Sequence, residues 1–264
     1  MNKYLMIAKN TWNEILTYRL NFVIWRIRVV LQLLTIYFIW HSVLPKDATL
    51  QSYNQSQILT YILGTSIIGS LVLASRSYSV GDEIDKGDLS NFLIKPINYF
   101  FYHFARDIAD KAMNLTLATI ELSIIFTLLK PPLFVQTQLD YLVFTILAVV
   151  LALIMYFFIN FLIGLIGFWS SETWGPRFLF FMVIGFVSGG LFPLDLLPQS
   201  VFSMMKLLPF TYLFYFPLKI YLGQLSAGEI FFGLSITIFW IGALFLIVKL
   251  VWLKGLKIYT AQGR

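Results

Sequence analysis

Long apolar runs with almost no charge are the feature that most constrains the fold of this sequence. A helix needs about 20 predominantly apolar residues to cross the hydrocarbon core of a bilayer. We predict that each of six such runs forms a transmembrane helix, which makes the chain an all-α integral membrane protein with one membrane domain over residues 1–264. The predicted spans cover residues 20–43, 57–78, 108–129, 140–168, 177–192 and 228–252.

The composition supports a lipid-embedded protein and argues against several other classes. Only 12% of the residues are charged, whereas soluble domains carry about 25%. The net charge of +6 is better explained by basic loops that face an anionic membrane surface than by nucleic acid, so we predict membrane lipid as a partner and no nucleic-acid partner. The absence of cysteine excludes disulfides and thiolate metal sites.

The N-terminal residues 1–18 predict an amphipathic helix in the membrane interface. Apolar residues recur at helical spacing, while Lys3, Lys9 and Glu14 occupy much of the opposite side. The segment lacks the short apolar core and the small-residue cleavage site of a signal peptide. An extension of the first span is the alternative interpretation.

Residues 193–223 are too apolar for an ordinary loop and too interrupted for a single span. Four prolines break the stretch, and proline ends or kinks a helix because it lacks an amide hydrogen. Irregular backbone at membrane depth requires cover from protein or a water-filled cavity. We predict short re-entrant helices in the outer leaflet before the last span, with an extra pair of spans as the alternative. The prolines are Pro193, Pro198, Pro209 and Pro217.

Basic residues are distributed unevenly between the two ends of the predicted spans. With six spans, 15 of the 19 Lys and Arg residues fall on one side, and such an excess marks the cytoplasmic side. Both termini are therefore predicted to face the cytoplasm, in a cell inner or plasma membrane. Arg26 and Arg28 lie inside the first span, and we expect their long stems to carry the guanidinium groups to the cytoplasmic interface. The opposite side receives Lys46, Lys130, Lys206 and Lys219.

Motifs that would support enzymatic chemistry are absent from the sequence. No Gly is followed by Lys, so the chain lacks the phosphate-binding P-loop pattern. His41 and His103 are too far apart for an HExxH zinc motif, and no GxSxG nucleophile elbow occurs. We predict that the chain is not an enzyme and carries no cofactor or metal.

The hydrophilic segment at residues 79–98 is the most informative loop. It opens with four acids, of which Asp88 is placed to cap a short helix. Leu89, Phe92 and Leu93 then follow at the spacing of one helical face, and Pro96 ends the helix. Such a face fits the groove of a partner protein. Packing against the protein's own membrane end, or against lipid, is the alternative. The other three acids are Asp82, Glu83 and Asp85.

This segment resembles the first cytoplasmic loop of the type-2 ABC exporter permease family, in a branch with the pattern G-x-L-x-x-x-L-x-[KR]-P. Residues 18–28 also resemble the start of the first span in that branch, and residues 192–223 resemble its proline-rich outer segment. The residues that match the loop pattern are Gly87, Leu89, Leu93, Lys95 and Pro96.

The resemblance implies a transporter that is assembled from several subunits. A second permease, identical or related, would pair with this chain, and separate ABC ATPase subunits would bind ATP and dock on the cytoplasmic loops. The cargo would be exported, and the low charge within the spans favours an amphiphilic or hydrophobic small molecule. On this interpretation the coupling residues are Asp82, Glu83, Asp85, Gly87, Asp88, Leu89, Phe92, Leu93, Lys95 and Pro96, with a smaller contact at residues 169–177.

Two polar residues inside predicted spans are candidates for lining a cavity. Glu121 is expensive to bury in a membrane, and no basic residue is predicted at its depth. In the functional interpretation, Glu121 lines a cavity and contacts cargo or carries a proton. In the structural interpretation, it is a protonated or hydrogen-bonded acid that faces the second permease. Asn160 is the second candidate. A self-sufficient secondary transporter or channel, an intramembrane enzyme and a membrane scaffold remain the rival functions.

Overall fold

The computed structural model describes residues 3–17, 19–45, 48–77 and 79–260. Parts of the sequence predictions therefore lie outside the described residues. These are Met1, Asn2 and Tyr18 of the predicted interfacial helix, Lys46 and Arg264 of the charge distribution, and Tyr78 at the end of the second predicted span.

Helices dominate the described residues, which confirms the all-α fold class apart from one small hairpin. Strands β1 (Thr49–Leu50) and β2 (Tyr53–Asn54) pair antiparallel. This hairpin, which the sequence pattern does not predict, connects the helices at Arg19–Val43 and Gln55–Val72. The helices are α1 (Lys3–Thr17), α2 (Arg19–Val43), α3 (Gln55–Val72), α4 (Ser79–Asp85), α5 (Leu89–Leu93), α6 (Tyr99–Leu129), α7 (Leu139–Gly164), α8 (Trp174–Val187), α9 (Gln199–Met205), α10 (Tyr215–Tyr221) and α11 (Ala227–Ile258).

Four helices of the described chain are long and apolar enough to cross a membrane, and a fifth span results if one bent pair is counted as a unit. The four are α2, α6, α11 and α7 with the tight turn Leu165–Phe168 that continues it. The second and fifth predicted spans correspond to α3 and α8, which have only 18 and 14 residues. The lengths by themselves therefore do not establish six spans.

Capping side chains set where helices begin, and the cap of α6 moves its start away from the predicted span bound. The predicted third span begins at residue 108, but α6 begins at Tyr99 because the Asn98 side chain accepts a hydrogen bond from the Phe101 amide at 3.2 Å. A reciprocal pair of hydrogen bonds between Ser226 and Glu229 begins α11 in the same way. Apolar length identifies the part of a helix that suits lipid, whereas the caps decide where the helix begins.

Helix α1 is separate from α2 and packs along the first turns of α6. The Trp12 indole N–H donates a hydrogen bond to the Ala109 carbonyl at 2.7 Å, and Lys3 donates to the Pro96 carbonyl at 3.1 Å. Leu5 remains exposed on the other side of the helix. An amphipathic helix with one face on protein and one apolar side chain available to lipid agrees with the predicted interfacial position.

Residues 193–223 form a broken chain of short helices and turns, as the prolines predict. Helix α9 and residues 209–221 meet at an angle of 81°. An ion pair joins the two ends of this segment, because the Lys219 ammonium lies 2.7 Å from the Asp195 carboxylate. Asp195 in turn accepts a hydrogen bond of 2.9 Å from the Tyr53 hydroxyl of the β-hairpin. The depth of this segment in a membrane stays a prediction.

The molecule has two ends, which we name for what they carry. The terminal end holds residues 3–17, 79–98 and 259–260, and the hairpin end holds residues 49–54 and 193–223. Near the terminal end α11 lies so close to the turn after α7 that a side chain on Gly255 would overlap the buried ring of Phe168.

We expect Gly255→Ala to lower the free energy of unfolding by about 1–3 kcal/mol, because an added methyl group in a filled space forces its neighbours to move. Thermal unfolding of the purified chain in detergent would measure this loss. Gly242→Ala is the control in the same helix, because a side chain there meets no atom within 4 Å. Equal melting temperatures for the two variants would contradict the close contact.

Candidate coupling surface and membrane cleft

Close backbone packing fixes the segment 79–98 to the end of α7. A side chain on Gly167 would place its Cβ 2.6 Å from the Gly81 carbonyl oxygen, so only glycine permits this approach. Gly87 has a φ of +79°, a conformation that favours glycine, and it turns the chain from α4 to α5. The glycine of the loop pattern therefore has a definite backbone role.

The apolar residues of the segment do not share one outward face. Leu89 is fully buried against the protein's own core, and Phe92 is half-buried. Leu93 is 50% exposed and Ile94 is 82% exposed. The prediction that Leu89 faces a partner is wrong for this structure, because the tight approach of α4 turns the first residue of α5 inward. Ile94, which the helical spacing did not select, is the most exposed apolar side chain of the segment.

The predicted acidic patch is only partly exposed, and Glu83 is bound within the protein. Glu83 accepts hydrogen bonds from Tyr99 at 2.7 Å and Ser79 at 3.0 Å, and it lies 3.1 Å from His103 Nε2. Burial by itself raises the pKa of Glu83, but the hydrogen bonds from His103, Tyr99 and Ser79 outweigh it and hold the pKa below its usual value. Glu83 is therefore a charged structural link between α4 and α6.

The remaining acids differ in their access to solvent. Asp82 lies 3.4 Å from the Thr173 hydroxyl, and both Asp82 and Asp85 are half-buried. Asp88 is exposed. It occupies the N-cap position of α5, as predicted, but its side chain does not make the capping hydrogen bond. Lys95 and Pro96 are exposed. A partner could thus reach Asp88, Lys95 and Pro96 more easily than the other three acids.

Tyr259 clamps the segment to the C-terminal end of α11. Its hydroxyl donates a hydrogen bond of 2.8 Å to the Gly87 carbonyl and accepts one of 3.1 Å from the Ser90 amide. The sequence offered no signal for this contact, because the residues are distant along the chain. The clamp connects the loop directly to the last long helix.

Ion pairs connect the interfacial helix to the same region. Glu14 of α1 lies 2.9 Å from Arg76 and 3.0 Å from Arg106. Arg76 also contacts Asp110 of α6 at 3.3 Å. Charges on α1, on the loop after α3 and on α6 therefore form one network at the terminal end.

The predicted second contact, residues 169–177, also lies at the terminal end. Trp169 is 49% exposed and Trp174 is 64% exposed. The Glu172 side chain caps the start of α8, because its carboxylate accepts hydrogen bonds from the amides of Trp174 at 2.8 Å and Gly175 at 3.1 Å. The Thr173 contact with Asp82 joins this loop to the segment 79–98. The two predicted contact regions are thus neighbours.

Glu121 has a basic partner, which corrects two of the sequence predictions. The Arg26 guanidinium forms two hydrogen bonds with the Glu121 carboxylate, one from Nε at 2.7 Å, and a third with Asn114 Oδ1 at 3.3 Å. Arg26 is 5% exposed. It reaches sideways to α6 instead of extending to the interface, because a carboxylate at its own depth satisfies the charge.

A second buried ion pair on α6 was also missed. Lys111 Nζ lies 3.0 Å from Asp107 and donates hydrogen bonds to the carbonyls of Val72 and Ala74. Both residues of the pair are buried. The spacing of four residues between Asp107 and Lys111 is the signal that could have identified it.

A cleft with two chambers lies between α2, α3 and α8, and α6 and α7 complete the wall of the terminal chamber. The terminal chamber has a volume of about 530 Å³ and is lined in part by Arg76, Asp110 and Asn160. The middle chamber has a volume of about 310 Å³ and is lined in part by Arg28 and Gln32. The structure therefore places Asn160 in this cleft, whereas Glu121 lines a smaller side cavity beside Arg26. The two chambers are adjacent, because Trp25, Leu73, Ala74 and Phe181 line both of them.

We expect Glu121→Gln to destabilise the chain, because it leaves the Arg26 guanidinium without an anion. Removal of one partner from a buried ion pair costs about 3–5 kcal/mol, and the 20% exposure of the Glu121 side chain favours the lower end of that range. Thermal unfolding in detergent would measure the loss.

The double variant Arg26→Gln with Glu121→Gln should recover much of this stability, since neither charge then remains unpaired. Asp140→Asn is the control, because it removes an exposed acid that makes no ion pair within the described residues. A double variant that simply adds the two single losses would argue against the pairing.

Comparison with known proteins identifies one family over most of the chain. The family model described as "ABC-2 family transporter protein" matches residues 30–263, from the middle of α2 to beyond the end of α11. No curated protein matches the chain. Within the described residues, no group of His, Asp or Glu side chains is arranged to hold a metal ion.

Proposed function

The chain belongs to the ABC-2 family of transporter proteins and is an ABC transporter permease, and on this premise we propose that separate ATPase subunits energise it and dock on its terminal end. The observation that carries the proposal is the exposed Leu93–Ile94 pair on a segment that is otherwise firmly anchored. A large exposed apolar side chain at a protein surface suits the pocket of a partner. Both termini would then face the cytoplasm of the cell inner or plasma membrane.

Three anchors would transmit a push on Ile94 into the membrane domain. The Glu83 hydrogen bonds lead to α6, the Tyr259 clamp leads to α11, and the contact of Gly81 with Gly167 leads to α7. A partner shifts a conformational equilibrium only if it contacts the two states differently. Ile94 satisfies this requirement, because its segment is anchored to several helices. Movement of the partner at Ile94 therefore displaces several spans together and changes the contacts between the two proteins.

We further propose that α3 and α8 complete a set of six spans and that the cleft is this subunit's share of the passage. The cleft has both aromatic and polar walls, which suits export of an amphiphilic or hydrophobic small molecule. Helix α8 supports pairing with a second permease, because it exposes apolar residues on most of its surface and Ile184 is its one buried residue within the described structure. The second permease and membrane lipid would cover these faces.

The docking proposal predicts that Ile94→Asp removes the ATPase while the membrane domain stays folded. The tagged full chain would be purified in detergent from its own cells, and ATP hydrolysis and protein composition would be measured. We expect at least a tenfold loss of ATPase co-purification, because a charge in an apolar pocket must give up its hydration.

Two further variants separate docking from folding. Ile94→Met keeps an apolar side chain of similar volume and should retain the ATPase. Leu89→Asp should instead reduce the yield of folded chain, because Leu89 is fully buried. An ABC ATPase that co-purifies equally with wild-type protein and Ile94→Asp would rule out this surface.

The Arg26–Glu121 pair favours a rival function, a self-sufficient secondary transporter or channel, because such proteins use paired intramembrane charges. Proton flux can decide between the two. The purified chain, in liposomes loaded with a pH-sensitive dye and free of ATPase, should leave a proton gradient intact. Rapid collapse of the gradient by wild-type protein, and not by Arg26→Gln with Glu121→Gln, would favour the rival.

A further inference from the structure

We propose that the middle chamber of the cleft binds the anionic group of an amphiphile, a carboxylate or a phosphate, with Arg28 as its cationic partner. The inference rests on the proposed function, since it assigns a chemical class to the cargo of that passage. It concerns a site that is distinct from the Arg26–Glu121 pair.

Arg28 is a charge inside a span that the protein itself does not neutralise. It lies in the part of α2, Val23–Val43, that is apolar enough to cross a membrane. Its side chain is exposed to the chamber and forms no hydrogen bond or ion pair with any residue of the described chain. Arg26, two positions earlier and on another face of α2, has its charge satisfied by Glu121 and Asn114. Unpaired charges at such positions normally face a cavity and mark a substrate path.

The other polar side chains that line the middle chamber are uncharged. Gln32 lies one helical turn beyond Arg28 on the same face of α2, and Ser66 and Ser70 repeat this spacing on α3. None of the described residues that line the chamber is an acid. These side chains can donate hydrogen bonds to an anion, and they offer Arg28 no negative charge.

The terminal chamber has a different charge balance. Arg76 and Arg177 both line it, and Glu14 at 2.9 Å and Asp110 at 3.3 Å neutralise Arg76. An anion that enters from the terminal end therefore passes a compensated guanidinium before it reaches the uncompensated one at Arg28. A positive charge without a counter-ion, between low-dielectric walls, concentrates anions.

A second copy of this chain would not supply the missing anion. Within the described residues, the acids in the interior of the long helices are Asp107, Asp110 and Glu121, and each is ion-paired within its own chain. Asp140 and Glu229 lie in the first turns of α7 and α11, at the opposite end of the molecule. With an identical second permease, the counter-ion therefore comes from a ligand or a lipid.

The shape of the site indicates an amphiphile instead of a free small anion. Trp25, Phe181 and Phe214 line the middle chamber together with aliphatic side chains. The guanidinium group presents a planar fork of donors that matches the two oxygens of a carboxylate or phosphate. Together the two chambers have the volume of a typical small-molecule site.

Photolabelling of the full-length chain in phosphatidylcholine nanodiscs would test this site. The probes are a fatty acid, an alkyl phosphate and a fatty alcohol, with equal chain lengths and a diazirine at the same carbon. We expect at least one anionic probe to label the peptides of α2 and α8 about tenfold more than the alcohol does, since a charge-assisted hydrogen bond contributes at least that factor. Equal labelling by all three probes would overturn the proposal.

Variants assign the preference to Arg28. Arg28→Gln should reduce labelling by the anionic probe to the level of the alcohol, whereas Arg28→Lys should keep part of the preference. Lys249→Gln is the control, because it removes an exposed basic residue of α11 that does not line the cleft. If Arg28→Gln fails to fold, the retained preference of Arg28→Lys and its loss in Arg28→Met decide the question. A preference that survives both neutral replacements would contradict the site.

Lipid composition separates a cargo from a resident lipid. With phosphatidylglycerol at 20 mol% in the nanodisc, a cargo site should keep its preference for the anionic probe. Complete loss of the preference would assign Arg28 to the bilayer lipid and would overturn the proposal. None of these measurements requires the ATPase, so a negative result here would leave the docking surface at Ile94 untouched, and loss of that surface would not affect this site.

Discussion

Charge neutralisation in a low-dielectric environment is the constraint on which most of this structure depends. The Arg26–Glu121 pair joins α2 to α6, and the Lys111–Asp107 pair holds the first turns of α6 near the end of α3. Each charge would be costly by itself at such a depth. The Arg26–Glu121 pair therefore favours one facing of α2 and α6, and the Lys111 ammonium, through the Val72 and Ala74 carbonyls, favours one face of α6 toward the end of α3.

The terminal end acts as one mechanical unit, because its connections cross between elements that are distant along the chain. The Tyr259 clamp and the contacts of Glu83 join the loop 79–98 to the first and last turns of long helices. This arrangement explains why the segment appears in sequence as an acidic loop with an apolar helix. Most of those polar and apolar groups hold the segment in place, and Ile94 is left exposed.

The sequence singles out loop 79–98 and Glu121 as unusual, but it does not reveal the contacts that they make. Loop 79–98 was identified from its acids and its resemblance to a family, yet the inward position of Leu89 depends on the approach of Gly81 to Gly167. Likewise, Glu121 was recognised as unusual, but its partner Arg26 lies 95 residues away. Helical spacing describes neighbours on one helix, and it carries no information about the faces of two helices that meet.

The sequence by itself determined the membrane class, the helical character, the break at residues 193–223 and the separate N-terminal helix. Each of these follows from local composition, because chain hydropathy and proline act within a few turns. The tertiary structure alone decided that Arg26 is neutralised and that Arg28 has no counter-ion among the described residues, although both stand in the same span. That difference arises because residues two apart point to different sides of a helix, and only one of these sides faces an acid.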